Sequence, residues 1–218
     1  NVTIWGFDNK LYSSYSYQNF SKKLSEILLE NGIELNSEFT RLTKLIIKNQ
    51  YNSRKELSKK EIEFLKKYTL ELQNYEIIKS NKLWFQIVKN IESTIELYTI
   101  KDNSSDENRI VIRDKQMAEN LDYLVKSNPD KKFIVWLANG HMSKSNSKLM
   151  KGQTMGHQFR VLNPNNSYHI AIASIRLPER KEKDIIKAGK KANNILSLLP
   201  SLENNYFLDS RKIISENI

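Results

Sequence analysis

The chain has 218 residues and a formal net charge of +10, with 39% hydrophobic and 28% charged residues, six glycines, four prolines and no cysteine. That balance describes a folded, helix-rich globular chain rather than a disordered one. It excludes disulfides, thiolate nucleophiles and cysteine-type zinc sites, and no apolar run approaches the roughly 20 residues that span a bilayer.

The first residues, VTIWGF at 2–7, read as a strand that ends at Asp8. A carboxylate there can cap a helix, orient an imidazole or bind a substrate hydroxyl. Between Asp8 and Arg109 the pattern is helical. Phe20, Leu24, Ile27 and Leu28 support a helix near Gln18 to Glu30 that Gly32 closes. Phe39, Leu42, Leu45 and Ile46 support a second from about Ser37. Ser58 and Glu61 form a capping-box pattern ahead of Ile62, Leu65 and Tyr68. The helical pattern then runs on, with a break near Asn81, through Trp84, Ile87, Val88, Ile91, Ile95 and Tyr98. These are packing helices, and their aromatic residues are read as core.

The basic charge invites a polyanion partner, because clustered lysines neutralise phosphates. The lysines are instead spread as doublets, Lys22-Lys23, Lys59-Lys60, Lys66-Lys67 and Lys190-Lys191, opposite apolar helix faces. No nucleic-acid motif accompanies them, so they are read as solvated faces and no nucleic-acid partner is expected.

The segment KDNSSDEN at 101–108 reads as a polar surface loop. After it, Met117, Ala118, Leu121, Leu124 and Val125 recur at steps of three and four, which makes an amphipathic helix with Asp114 at its start. Arg113 and Asn120 lie two turns apart on one polar edge of that helix. Asn128, Pro129 and Asp130 break it. The unbroken apolar run Phe133, Ile134, Val135, Trp136 and Leu137 then reads as a strand covered on both faces, as in parallel sheets. Ligands of open parallel sheets lie beyond the carboxyl ends of the strands, where this one carries Ala138, Asn139, Gly140 and His141. His141 is therefore the leading catalytic candidate.

Thr154 reads as the cap of a helix that begins Met155-Gly156-His157. Two readings of Gly156 stand side by side: a helix N-terminus open to a carboxylate product or oxyanion, or a glycine needed for close packing. Tyr168 to Ala173 reads as another buried strand, with His169 at its entry, and Tyr206 to Asp209 as a last short strand. Between them Ile185, Ile186, Ala188, Ile195, Leu196, Leu198 and Leu199 mark further helix. A zinc site from His141, His157 and His169 fails on spacing, because no helical histidine pair such as HExxH is present.

The chain has no Gly-x-Ser-x-Gly elbow, no phosphate loop and no dinucleotide fingerprint. Water is left as the attacking group. An imidazole can take a proton from water and return it to a leaving alkoxide, while Arg113 and amide donors such as Asn139 stabilise developing negative charge.

Arg113-Asp114, Met117-Ala118, Asn120, the apolar run ending in Trp136, Asn139-Gly140-His141 and Met155-Gly156 resemble the erythromycin esterase-like hydrolases, and the opening Val2 to Asp8 is similar to the Gly-x-Asp region of that family. The resemblance implies an α/β fold over residues 1–218: a single helix-rich domain with a small, largely parallel sheet flanked by helices. It implies hydrolysis of an ester or lactone, the macrolide ring among the candidates and antibiotic resistance among the roles, by histidine-activated water without metal or cofactor. His141 and Arg113 are then catalytic, and Asp8, Asn120, Asn139 and Gly156 contact substrate. Two departures accompany the match. Ala138 stands where the family usually has the first of two histidines, and the family's upstream Glu-x-x-His strand does not precede Asn1, so the chain reads as the C-terminal part of a longer protein. A metal-dependent hydrolase of related fold and a catalytically silent binding module are the competing readings. Compartment and oligomeric state stay open.

Overall fold

Local sequence signals set the helix boundaries in the computed structural model, which describes residues 2–11, 13–49, 57–100, 106–142, 153–165 and 167. All belong to the first of the two units into which the chain divides, Asn1–Ile170 and Ala171–Ile218. Helix α1, Ser14–Leu29, starts where the Ser13 side chain accepts from the Ser16 backbone N–H. It ends where Gly32 adopts a φ of 70°, which lets Gly32 and Ile33 donate back to the Leu29 and Leu28 carbonyls. Asn36 opens α2, Ser37–Asn49, by accepting from the Glu38 and Phe39 N–H groups.

The Ser58–Glu61 capping box forms in full at the start of α3, Lys59–Asn74. Tyr75 and Asn81 interrupt the helical run, giving α4, Glu76–Ser80, and α5, Lys82–Thr99. Helix α6 is Asp106–Lys126, α7 is the single turn Asn139–Met142, and α8 is Met155–Leu162, capped by Thr154. Helix α6 therefore begins eight residues before Asp114, and part of the expected polar loop, from Asp106, is helical. Asp114 is not a cap.

Two apolar clusters result. The larger joins α1 to α5 around Leu24, Leu28, Phe39, Leu42, Leu65, Leu72, Ile91 and Ile95, and it absorbs Phe20, Tyr68 and Trp84. The smaller lies between α6 and α8: Met117, Ala118, Leu121, Met155 and Phe159, with Phe7, Val135 and Leu137 packed against it. Between the two, α5 and α6 meet along a polar seam of Gln86, Asn90, Gln116 and Asn120. Helix α6 thus has two working edges, an apolar one toward α8 and an amide one toward α5. The described lysine doublets, Lys22-Lys23, Lys59-Lys60 and Lys66-Lys67, are exposed. None of the described helices is long and apolar enough to cross a membrane.

The expected parallel β-sheet is corrected: the described residues contain helices and no strand. In the segment taken for a doubly covered strand, Phe133, Val135 and Leu137 are partly buried, whereas Ile134 is 98% and Trp136 85% exposed. Among the described residues only one side of the segment has anything packed on it, so these residues do not supply the covering that defines a buried parallel strand. The opening residues behave alike. Trp5 stacks on Phe133 with ring centroids 5.4 Å apart, while Val2 and Ile4 are 93% and 92% exposed. A continuous apolar run signals burial on both faces only if neighbours exist for both. The expected strands at 168–173 and 206–209, the helices after Pro178 and His169 lie outside the described residues.

Candidate active site

Three elements deliver charged groups to one place. The segment 2–11 brings Asp8, α6 brings Arg113 and Asp114, and α7 brings His141. Arg113 grips Asp8 with two parallel bonds, Nε to Oδ1 at 3.0 Å and Nη2 to Oδ2 at 2.7 Å. This forked geometry is the strong form of a guanidinium–carboxylate pair. Partial burial pushes the Asp8 carboxyl up, but the Arg113 hydrogen bonds and charge, with a smaller contribution from Lys10, outweigh it and hold the group below its ordinary range. Arg113 Nη1 also lies 3.5 Å from His141 Nε2.

On its other side the imidazole meets Asp114. Nδ1 lies 2.7 Å from Oδ1 and 2.9 Å from Oδ2 of a carboxylate that is fully buried. An ionised carboxylate only accepts, so Nδ1 carries the proton and donates, and Nε2 is left with its lone pair. The side chain of His141 is 21% exposed, enough for solvent to reach it. Asp114 Oδ2 also accepts from the Met155 backbone N–H at 2.9 Å. The helix start that could have received an anionic product therefore holds the protein's own carboxylate, and the dipole of α8 favours that charge.

Gly156 explains how α8 comes so near. A Cβ at this position would fall on the backbone carbonyl of Met142, the residue after His141. Of the two sequence readings, the contact seen is the close packing one. Thr154 accepts from the His157 N–H, and the His157 side chain is partly buried rather than exposed.

Asn120 lies on the α5 side of α6, away from the imidazole-bearing turn in its bonding. Its amide donates to the Phe7 carbonyl and to Asn90 Oδ1, both at 2.9 Å, and accepts from Gln86, Gln116 and Asn90. Asn139 opens α7, two residues ahead of His141, and its side chain lies outside the described residues. The structure thus gathers Asp8, Arg113 and His141, sets Gly156 behind them, and ties Asn120 to the backbone just before Asp8.

Asp114 is the residue that sequence reasoning misassigned. Its signal was present: it stands three and four residues before Met117 and Ala118, and so on the buried stripe of α6, where a carboxylate needs a partner. Asn90 was missed too. Gln86, Asn90 and Ser93 recur at steps of four and three, an uncharged polar edge on α5.

The family model described as erythromycin esterase matches residues 1–176. The chain belongs to the erythromycin esterase family. All described site residues fall inside that span. No curated protein and no solved structure matches the chain. Membership makes it a hydrolase of the erythromycin esterase family, with a small molecule as the substrate the family suggests. The residue at 138 is alanine, and the Asp114–His141 pair forms without it.

Proposed function

We propose that this chain is an ester or lactone hydrolase that attacks with activated water, with His141 as the base. The observation that carries the reading is the Asp114–His141–Arg113 arrangement: an imidazole held at Nδ1 by a buried carboxylate, with a guanidinium beside Nε2. Asp114 fixes the tautomer and stabilises the imidazolium that forms, as a carboxylate partner does for a catalytic histidine.

Nε2 takes a proton from water while the water oxygen bonds to the carbonyl carbon, and the carbonyl π pair moves to its oxygen. That oxyanion is stabilised by Arg113, whose charge Asp8 keeps oriented by the two-pronged bond. The tetrahedral centre then collapses, the C–O bond to the leaving group breaks, and the imidazolium returns its proton to the departing alkoxide. A lactone would open by the same route. A macrolide ring is the lactone we propose to try first, with antibiotic resistance as the role its opening would serve.

A guanidinium 3.5 Å from Nε2 repels a divalent cation at the same nitrogen, which favours direct water activation over a metal-bound hydroxide. The test is a panel of nitrophenyl esters, small lactones and macrolides, assayed with and without chelator. The wild-type chain is expected to turn over at least one member in chelator, and His141→Ala to lose roughly 10²- to 10⁴-fold in kcat. A folded His141→Ala with undiminished turnover refutes the assignment.

A further inference from the structure

The hydrogen-bonding capacity of Asn120 is used up inside the protein. Both amide hydrogens are committed, to the Phe7 carbonyl and to Asn90, and the side-chain oxygen accepts from Gln86 at 2.7 Å, Gln116 at 3.0 Å and Asn90 at 3.2 Å. Asn120 and Asn90 are 6% and 8% exposed, so water does not compete for these bonds. A substrate could bind this amide only by breaking a buried bond. The two asparagines form a reciprocal amide pair across the α5–α6 seam, each donating to the other.

What the pair holds is the residue before Asp8. The residue after Asp8 is held as well: Asn9 is 1% exposed and donates from Nδ2 to Ser93 Oγ of α5 at 3.1 Å. Asp8 therefore sits between two buried clamps, both anchored on α5. Its own side chain is the exposed member of the three, at 38%, and meets Arg113 in the forked pair. A forked bond tolerates little displacement of either backbone.

We propose that Asn120, paired with Asn90, is a positioning residue for the site: with the Asn9–Ser93 clamp it sets the Asp8 carboxylate on Arg113 and so balances the guanidinium charge beside His141 Nε2. Helix α5, which carries no charged group of the site, acts on its electrostatics through Asn90 on Asn120 and through Ser93 on Asn9. Among the described residues, the charged groups facing His141 are Asp114 and Arg113 from α6, and Asp8 stands behind Arg113. Loosening Asp8 withdraws negative charge from beside the guanidinium, which disfavours the charged imidazole.

The kinetic consequence rests on the reading of His141 as the base, but the titration does not, so the two can fail separately. The experiment is proton NMR titration of the imidazole in the full chain, where three histidines make assignment by single substitution practicable. Wild type is compared with Asp8→Asn, Asn120→Ala and Thr69→Ala, the last removing a buried hydroxyl of α3 that bonds only the Leu65 carbonyl among the described contacts. Asp8→Asn and Asn120→Ala are each expected to lower the His141 midpoint, and Thr69→Ala to leave it in place. In the Asp8→Asn background, Asn120→Ala should add no further shift, because both changes act through one carboxylate. If Asn120→Ala does not fold, Asn9→Ala is read in its stead. An unchanged midpoint in a folded clamp variant, or an additive shift in the double variant, overturns the proposal. Failure of every ester and lactone to react would instead remove the proposed function and leave this result standing.

Discussion

Asp114 bonds to His141 Nδ1 at 2.7 Å with one carboxylate oxygen and accepts from the Met155 N–H at 2.9 Å with the other. One buried group thus ties the imidazole of α7 to the first residue of α8. Asp114→Asn can keep the bond to Met155 through its amide oxygen, but it presents N–H to Nδ1 and so turns the proton to Nε2. The base then has no lone pair facing water. We expect the variant to remain folded and to lose about 10²- to 10⁴-fold in kcat, checked by circular dichroism and steady-state kinetics. Full activity in a folded Asp114→Asn contradicts the assigned tautomer.

Gly156 is expected to tolerate nothing larger. In Gly156→Ala the added methyl meets the Met142 backbone rather than the end of a flexible side chain, so α8 must move away from α7. Overpacking of this kind costs about 1–3 kcal/mol. Denaturant unfolding should show that loss, together with lower turnover as the Met155–Asp114 bond lengthens. A Gly156→Ala protein as stable as wild type would mean that α7 and α8 are not in contact there.

The two tryptophans at 84 and 136 test the corrected fold. Trp84 is 9% exposed within the larger core and Trp136 is 85% exposed. Trp84→Ala should cost about 3–5 kcal/mol, whereas Trp136→Ala should fall within about 0.5 kcal/mol of wild type. Comparable losses for both would place Trp136 in a core, as the sequence pattern suggested.

The helices were legible because their signals are local. The Ser58–Glu61 capping box, the Gly32 turn and the Thr154 cap each lie within a few residues of the bonds they make. The exposure of Ile134 and Trp136 was not legible, since an apolar run specifies what a segment can bury and not what is there to cover it. The site divides the same way. His141, Arg113 and Asp8 stood out as chemistry-bearing residues at segment ends, but the partner of the imidazole did not. Asp114 was read as a cap because short acidic residues favour helix starts, and only the eight helical residues before it show that it faces inward. Asn120 was given to the substrate on its edge of α6, where the bonds of its amide to Asn90 and Phe7 span 30 and 113 residues of sequence.

Acid should leave the Asp8–Arg113 pair intact longer than an ordinary carboxylate pair. The Asp8 carboxyl lies below its usual 3.8 in the folded chain, so its contribution to stability is fully present above that value and is lost as pH falls through the lower folded value. Carboxyl-carbon NMR should show Asp8 still ionised at the pH where a free aspartate is half protonated. An Asp8 that titrates at or above 3.8 would mean that the forked bond to Arg113 is absent in solution.

The most direct measurement of the central claim sets two midpoints against each other: that of kcat/KM as a function of pH, and that of the His141 ring titrated by NMR in the free protein. If His141 is the base, activity rises as the imidazole loses its proton, and the two midpoints coincide. A rise in kcat/KM governed by an ionisation that does not move with the His141 resonances, or activity that is flat across the imidazole titration, would contradict the account.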